Sequence, residues 1–216
     1  MKSFRMRNLF LSSLLLFCFA CATNNYHKLP VERSVPFDQT GIPLLFKNSN
    51  PAPLYKANVQ LYGKTFGGLL LIKNMPDSSY RIVFSTETGI KLFDFELKND
   101  SFKVHFCIEK FNRNAVIATI ASDMRLLLTE TKSGQAAQEL KDKNNKQRIF
   151  NFTAAPGNDY YFVNSTTAQL ESIEHIEQKK KKVHISLSDW NATMPKNIKI
   201  IHHNIRLKID LILLER

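Results

Sequence analysis

Long apolar runs are missing from this sequence. The longest, Leu9 to Ala20, covers about a dozen residues and is broken by Ser12 and Ser13. As a helix it would reach roughly 18 Å, well short of a ~30 Å hydrocarbon core, which excludes a membrane-spanning segment there. Lys2, Arg5 and Arg7 precede it, so residues 1–20 read as a removed secretion signal. Catalytic motifs are missing too. There is no Gly-rich phosphate loop, no Gly-x-Ser-x-Gly elbow, no His-Glu-x-x-His and no paired-cysteine metal signature. No nucleophile, base or metal set can be assembled, so the chain is expected not to be an enzyme and to hold no metal or cofactor. No repeat of fixed period occurs. Acidic residues are few, 19 against 30 lysines and arginines, for a formal charge of +11. Loss of the signal removes three positive charges and leaves +8. A basic domain can bind nucleic acid, but an exported one rarely meets any. The expected partner is an anionic membrane surface and not nucleic acid.

Cysteine is scarce as well, with three in 216 residues. The run Cys18-Phe19-Ala20-Cys21-Ala22 resembles the bacterial lipobox, with a small residue directly before the second cysteine. The resemblance implies a lipid anchor at Cys21: a diacylglyceryl group on the thiol, cleavage before it, and an acyl chain such as palmitate on the new amine. Plain secretion with cleavage after Ala20 is the alternative. Cys18 leaves with the signal and Cys21 is taken by lipid, so Cys107 is left alone and is expected to be a small buried apolar residue. The core must then hold by packing, without an intramolecular disulfide.

Residues 21–54 read as a lipid-anchored tether, because Pro30, Pro36, Gly41, Pro43 and Pro51 interrupt it too often for regular structure. Parts of it, such as Ile42 to Phe46, could pack on the domain that spans 55–216. From Tyr55 the pattern is β. Ala57 to Tyr62 alternates apolar and polar, and Lys64 to Lys73 follows with Gly67-Gly68 inside it, a signal for a bend that curls a sheet. Tyr80–Phe84, Leu92–Leu97 and Phe102–Phe106 continue an antiparallel meander. Between Asn112 and Leu128 the period changes to helical, with Val116, Ile117, Ile120, Met124 and Leu127 on one side. Asn112 or Asn114 is expected to cap this helix, with Asp123 and Arg125 outward. Residues 135–148 are charged, without an apolar stripe, and read as a loop or weak helix. Strands resume from Arg148 to Phe152 and run to Leu214, the last of them alternating Ile205, Leu207, Ile209, Leu211 and Leu213 with polar residues. The expected fold is mainly β (α+β): a curled antiparallel sheet of roughly ten strands forming an open half-barrel, with one to three helices plugging its concave face.

Three features bear on function. Lys179 to Lys182 sit at a hairpin tip, either as a solvated turn or as a contact for membrane phosphates. His175 and His184 flank that hairpin near Glu174 and Glu177. They read as polar residues on a wet face, a metal site there being the lesser alternative. The adjacent His202 and His203 point to opposite faces and cannot readily share a metal. Among sixteen phenylalanines, Phe84, Phe93, Phe95 and Phe102 cluster in one meander. They are either ordinary core or the lining of an apolar cavity, and the residues alone leave both open.

In order, these pieces resemble the LolA/LolB superfamily of periplasmic lipoprotein carriers and receptors. The resemblance is carried by the glycine-punctuated strand from Gly63 to Ile72, then Tyr80-Arg81-Ile82-Val83-Phe84, a glycine loop and Lys91 to Leu97. The apolar helix, then Trp190 and Pro195 before the final alternating strands, complete it. It implies a cavity for acyl chains of lipoprotein cargo or lipid, lined by Leu71, Phe84, Phe93, Phe95, Ile117, Ile120 and Met124. It also implies outer-membrane lipid and a periplasmic LolA-like carrier as partners of a monomer. LolB-type receptors carry an exposed leucine before the loop glycine. Here that residue is Thr88, so Thr88, Gly89 and Ile90 form the expected membrane-facing loop, with Ile90 its apolar residue. Ala22, and the lack of an acidic stretch after Cys21, favour the inner face of the outer membrane. The alternative is an accessory lipoprotein that docks on a protein partner with a filled core and no cargo.

Overall fold

The structure, a computed structural model, describes residues 26–47, 49–99 and 101–215. The expected signal and Cys21 lie outside the described residues. The strands are β1 (Val31–Pro36), β2 (Leu54–Leu61), β3 (Lys64–Asn74), β4 (Tyr80–Ser85), β5 (Lys91–Lys98), β6 (Ser101–Cys107), β7 (Ala136–Leu140), β8 (Gln147–Ala154), β9 (Gly157–Asn164), β10 (Leu170–Glu177), β11 (Lys180–Trp190), β12 (Pro195–His202) and β13 (Leu207–Leu213). A single helical turn, α1 (Phe37–Thr40), follows β1, and one longer helix, α2 (Asn114–Leu127), follows β6. All thirteen strands form one antiparallel sheet in the order β1-β7-β8-β9-β10-β11-β12-β13-β2-β3-β4-β5-β6. β1 and β6 are its free edges, so the sheet is open.

Two of these strands stand where none was expected, which raises the count above ten. β1 lies inside the supposed tether, and its edge position makes its terminal proline tolerable. β7 lies inside the charged segment 135–148. Its Glu139 is buried between Arg33 and Arg148, at 2.7 and 2.8 Å. Charge pattern alone reads such a residue as solvated. The residues after β1 are equally built in: Phe37, Ile42, Leu45 and Phe46 are core. The folded unit therefore includes residues from Tyr26 onward and not only those from Tyr55, and a chain starting at residue 22 carries all the described residues.

Alternation places one face of each strand inward, as with Val183, Ile185 and Leu187 on β11 and Ile198, Ile200 and His202 on β12. The inward faces meet around α2. Its C-terminal half touches strands far apart in the sheet order. The Tyr161 hydroxyl on β9 donates to the Leu126 carbonyl at 3.1 Å, and Asp123 bonds His202 of β12 at 3.0 Å. Just beyond the helix, Glu130 accepts from the Tyr80 hydroxyl of β4. Strands that far apart can share one helix only if the sheet curls around it. Gly68 permits part of that curl, since a Cβ there would sit 2.2 Å from the Ser85 carbonyl oxygen and 2.8 Å from the Phe84 ring. On the outer face a small second cluster (Leu140, Ile149, Tyr160, Phe162, Ile176) is covered by Tyr26 and Leu29.

Candidate functional site

α2 does not pack evenly. From Ala121 onward its inward residues are buried, but between Ala115 and Ile120 none is fully buried. Its start is bare: Arg113 is the N-cap, no side chain caps the helix, and the asparagines on either side do not serve as expected. Beneath this half lies a cavity of about 290 Å³, near the lower end of small-molecule pockets. Its floor is the inward face of β13, β2, β3, β4 and β5, with Ala57, Leu70, Ile82 and Leu211 among the lining residues, and its roof is Val116, Thr119, Ile120 and Met124. Nearly all of the lining is carbon. Tyr62, Arg113 and Thr119 are the lining residues with polar side chains.

Of the residues expected to line a cavity, Phe84, Phe93, Ile120 and Met124 do. Phe95 is not in the wall. It lies behind it, fully buried, stacked on Phe93 at 4.5 Å between ring centres. Ile117 is half-buried and packs against the core beside the cavity without lining it. Leu71 is out of phase. Leu70 pairs with Phe84 and points inward, whereas Leu71 pairs with Val83 on the other face. The run Leu69-Leu70-Leu71-Ile72 has no alternation from which to read the phase, and pairing with β4 decides it. The contribution of β13 went unseen, although its alternation was plain. What was missing is that β13 closes against β2, across the two ends of the domain.

The Thr86–Ile90 turn is exposed at its tip. Gly89 adopts φ +88°, its N–H donates to the Thr86 carbonyl at 3.0 Å, and Ile90 is 64% exposed. Cys107 is half-buried on edge strand β6, not in the core, and burial pushes its thiol up, away from the reactive thiolate. His175 and His184 are parted by register. His184 lies opposite Glu174 on the outer face, and the His175 ring reaches Asp159 at 2.7 Å on the inner one. Among the described residues no group of three or more His, Cys, Asp and Glu could hold a metal ion. Asp123, expected outward, is fully buried against His202. Burial pushes its carboxyl up, more than the histidine bond draws it down. No helix of the described residues is long and apolar enough to cross a membrane.

No protein-family model matches this sequence, and no curated protein does. Solved structures do. A LolA superfamily protein from Nitrosomonas europaea superposes with a TM-score of 0.54 at 7% identity, covering 83% of this chain and 90% of that one. A DUF1329 family protein from Desulfovibrio piger follows at 0.42, with 11% identity and coverage of 83% and 87%. A candidate outer membrane lipoprotein-sorting protein domain from Vibrio parahaemolyticus gives 0.39, with 9% identity and coverage of 76% and 82%. The first of these carries the assignment. The chain has a LolA/LolB-like fold.

Proposed function

We propose that this chain is a lipid-anchored carrier or receptor that takes an acyl chain, from lipoprotein or lipid, into the cavity under α2. In this reading the sheet is a half-barrel and α2 is its plug. The protein works as a monomer, held through lipid on Cys21 at the periplasmic face of the outer membrane. It receives cargo there from a LolA-like carrier and performs no chemistry on it. The supporting observation is the carbon-lined cavity beneath the loosely packed, uncapped half of the only long helix among the described residues. Such a roof can lift without breaking the core that holds its other half.

A fluorescent fatty acid titrated into the chain starting at residue 22 tests this. Saturable binding is expected, weakened at least about tenfold by Ile120→Gln or by Ala115→Trp, a lining position exposed enough to accept the ring. Absence of binding by a protein with an intact sheet would sink the proposal. It would favour docking on a protein partner, for which edge strand β6 offers exposed Val104 and Phe106.

A further inference from the structure

Three turns form a continuous row at one end of the sheet. The His203 N–H donates to the Lys182 carbonyl at 2.8 Å, and the Tyr62 N–H donates to the Arg206 carbonyl at 2.9 Å. These bonds tie the β10–β11, β12–β13 and β2–β3 turns side by side. The same end holds one side of the cavity lining, with Tyr62, Ile205 and Arg113.

The row is basic and sterically costly. Lys64, Lys179, Lys180 and Arg206 are exposed, and among the described residues none has a carboxylate within 4.0 Å. At the opposite end Lys98 meets Asp77 at 3.0 Å and Lys196 meets Glu215 at 2.5 Å, while the exposed Lys141, Lys143 and Lys146 of the β7–β8 turn, like the row, have no carboxylate within 4.0 Å among the described residues. The row differs in the backbone its charges occupy and in the aromatic beside them. Gln178 and Lys179 occupy the turn at φ +50° and +62°, where a tight hairpin ordinarily takes Asn-Gly. Tyr62 holds φ +48° with 65% of its surface exposed. Turn stability alone does not select a lysine or an exposed aromatic in the left-handed region. Charge at the tip and an amphipathic ring beside it are what an anionic lipid interface selects.

The chain's entry point agrees. Tyr26 packs 5.0 Å from Phe162 and 5.8 Å from Tyr160 on the outer face. Tyr160 pairs across the sheet with Glu174, whose carboxylate accepts from Lys181 at 2.5 Å. Cys21 stands five residues before Tyr26, a reach of at most about 18 Å. Lipid at Cys21 and the lysine hairpin can therefore meet the same bilayer surface.

We infer that this row of turns, Lys179–Lys180 and Arg206 with Tyr62 beside them, docks on anionic phospholipid headgroups and turns that side of the cavity toward the membrane. The orientation rests on the lipid-anchor reading of Cys21; the headgroup contact does not.

Two measurements test it. In the first, the acylated protein is reconstituted in vesicles of phosphatidylethanolamine and phosphatidylglycerol, and its amines are acetylated. Lys179 and Lys180 are expected to be protected, with Lys143 and Lys146 of the opposite end modified. Equal modification of both pairs, or the reverse, overturns the inference. In the second, the chain starting at residue 22 is sedimented with vesicles. It is expected to bind phosphatidylglycerol vesicles, to release in high salt and to ignore phosphatidylcholine. Lys179→Ala with Lys180→Ala should weaken binding about thirtyfold, and Lys143→Ala with Lys146→Ala should not. Binding unchanged by the first pair, or no preference for the anionic lipid, overturns it. Fatty-acid binding by the lysine variants separates the two proposals: it should survive, since neither lysine lines the cavity.

Discussion

The two halves of α2 face two differently built parts of one sheet. The C-terminal end, with Leu126, Leu127 and the following Leu128, is set against a filled core in which Phe150, Phe152 and Tyr161 occupy the inward positions of β8 and β9. The N-terminal half covers β13 through β5, where the small Ala57 stands at an inward position and leaves the cavity above it. A helix fastened at one end and loosely seated at the other is what an openable cavity requires. The contrast also teaches where each part keeps its charges. The filled half has them within, as Lys132 and Asp159 at 2.5 Å, and the cavity half outside, as Arg81 and Lys91 on Asp94.

The largest test of this contrast compares two apolar truncations on the same helix. Leu127→Ala removes a fully buried side chain and should cost about 3–4 kcal/mol in denaturant unfolding. Ile120→Ala enlarges a cavity already there and should cost about 1 kcal/mol. Equal losses would mean that α2 is uniformly packed. Gly68→Ala comes next, at about 2–3 kcal/mol, because the added Cβ meets the Ser85 backbone, which cannot move aside as a flexible side chain would. A loss below about 0.5 kcal/mol would show that β3 and β4 separate easily.

His202→Ala should cost about 2 kcal/mol. It strips the partner from Asp123, whose other oxygen already has no hydrogen-bond partner among the described residues. Asp123→Asn should cost less than about 1 kcal/mol, since burial already favours the neutral acid there. Urea midpoints of the two variants give the comparison. An Asp123→Asn loss as large as that of His202→Ala would mean that the ionised pair itself fastens α2.

How much could be read in advance follows from where each signal lies. Local signals were legible: alternation on β11 to β13, the change of period at α2, and the glycine pair that curls β3. What stayed hidden depends on partners remote in sequence. Glu139 is buried because Arg33, 106 residues away, lies beside it. Asp123 is buried because His202, 79 residues on, faces it. The phase of Leu70 and Leu71 was set by β4, and β1 by its edge position. The cavity was half legible. Its aromatic wall stood out as a phenylalanine cluster, while its aliphatic floor on β13 required knowing that the last strand closes on β2.

The smallest effect concerns the outside fastening of the cavity half. The Arg81 hydrogen bond, with Lys91 beside it, holds the Asp94 carboxyl down at about 2. An aspartate whose folded value lies below its unfolded value of about 4 is stabilising when ionised. Its contribution is complete above about pH 4 and is lost as pH falls toward 2. Asp94→Asn should therefore cost no more than about 1 kcal/mol at pH 6, and it should flatten the decline in urea midpoint between pH 4 and about 2. Hydrogen exchange gives the decisive reading. On acidification β4 and β5 should lose protection in the parent protein. In Asp94→Asn they should exchange at the faster rate already at pH 6, with β8 and β9 unchanged. Loss of protection in β8 and β9 at the same pH would mean that the two halves open as one unit, and the contrast along α2 would then carry no mechanical meaning.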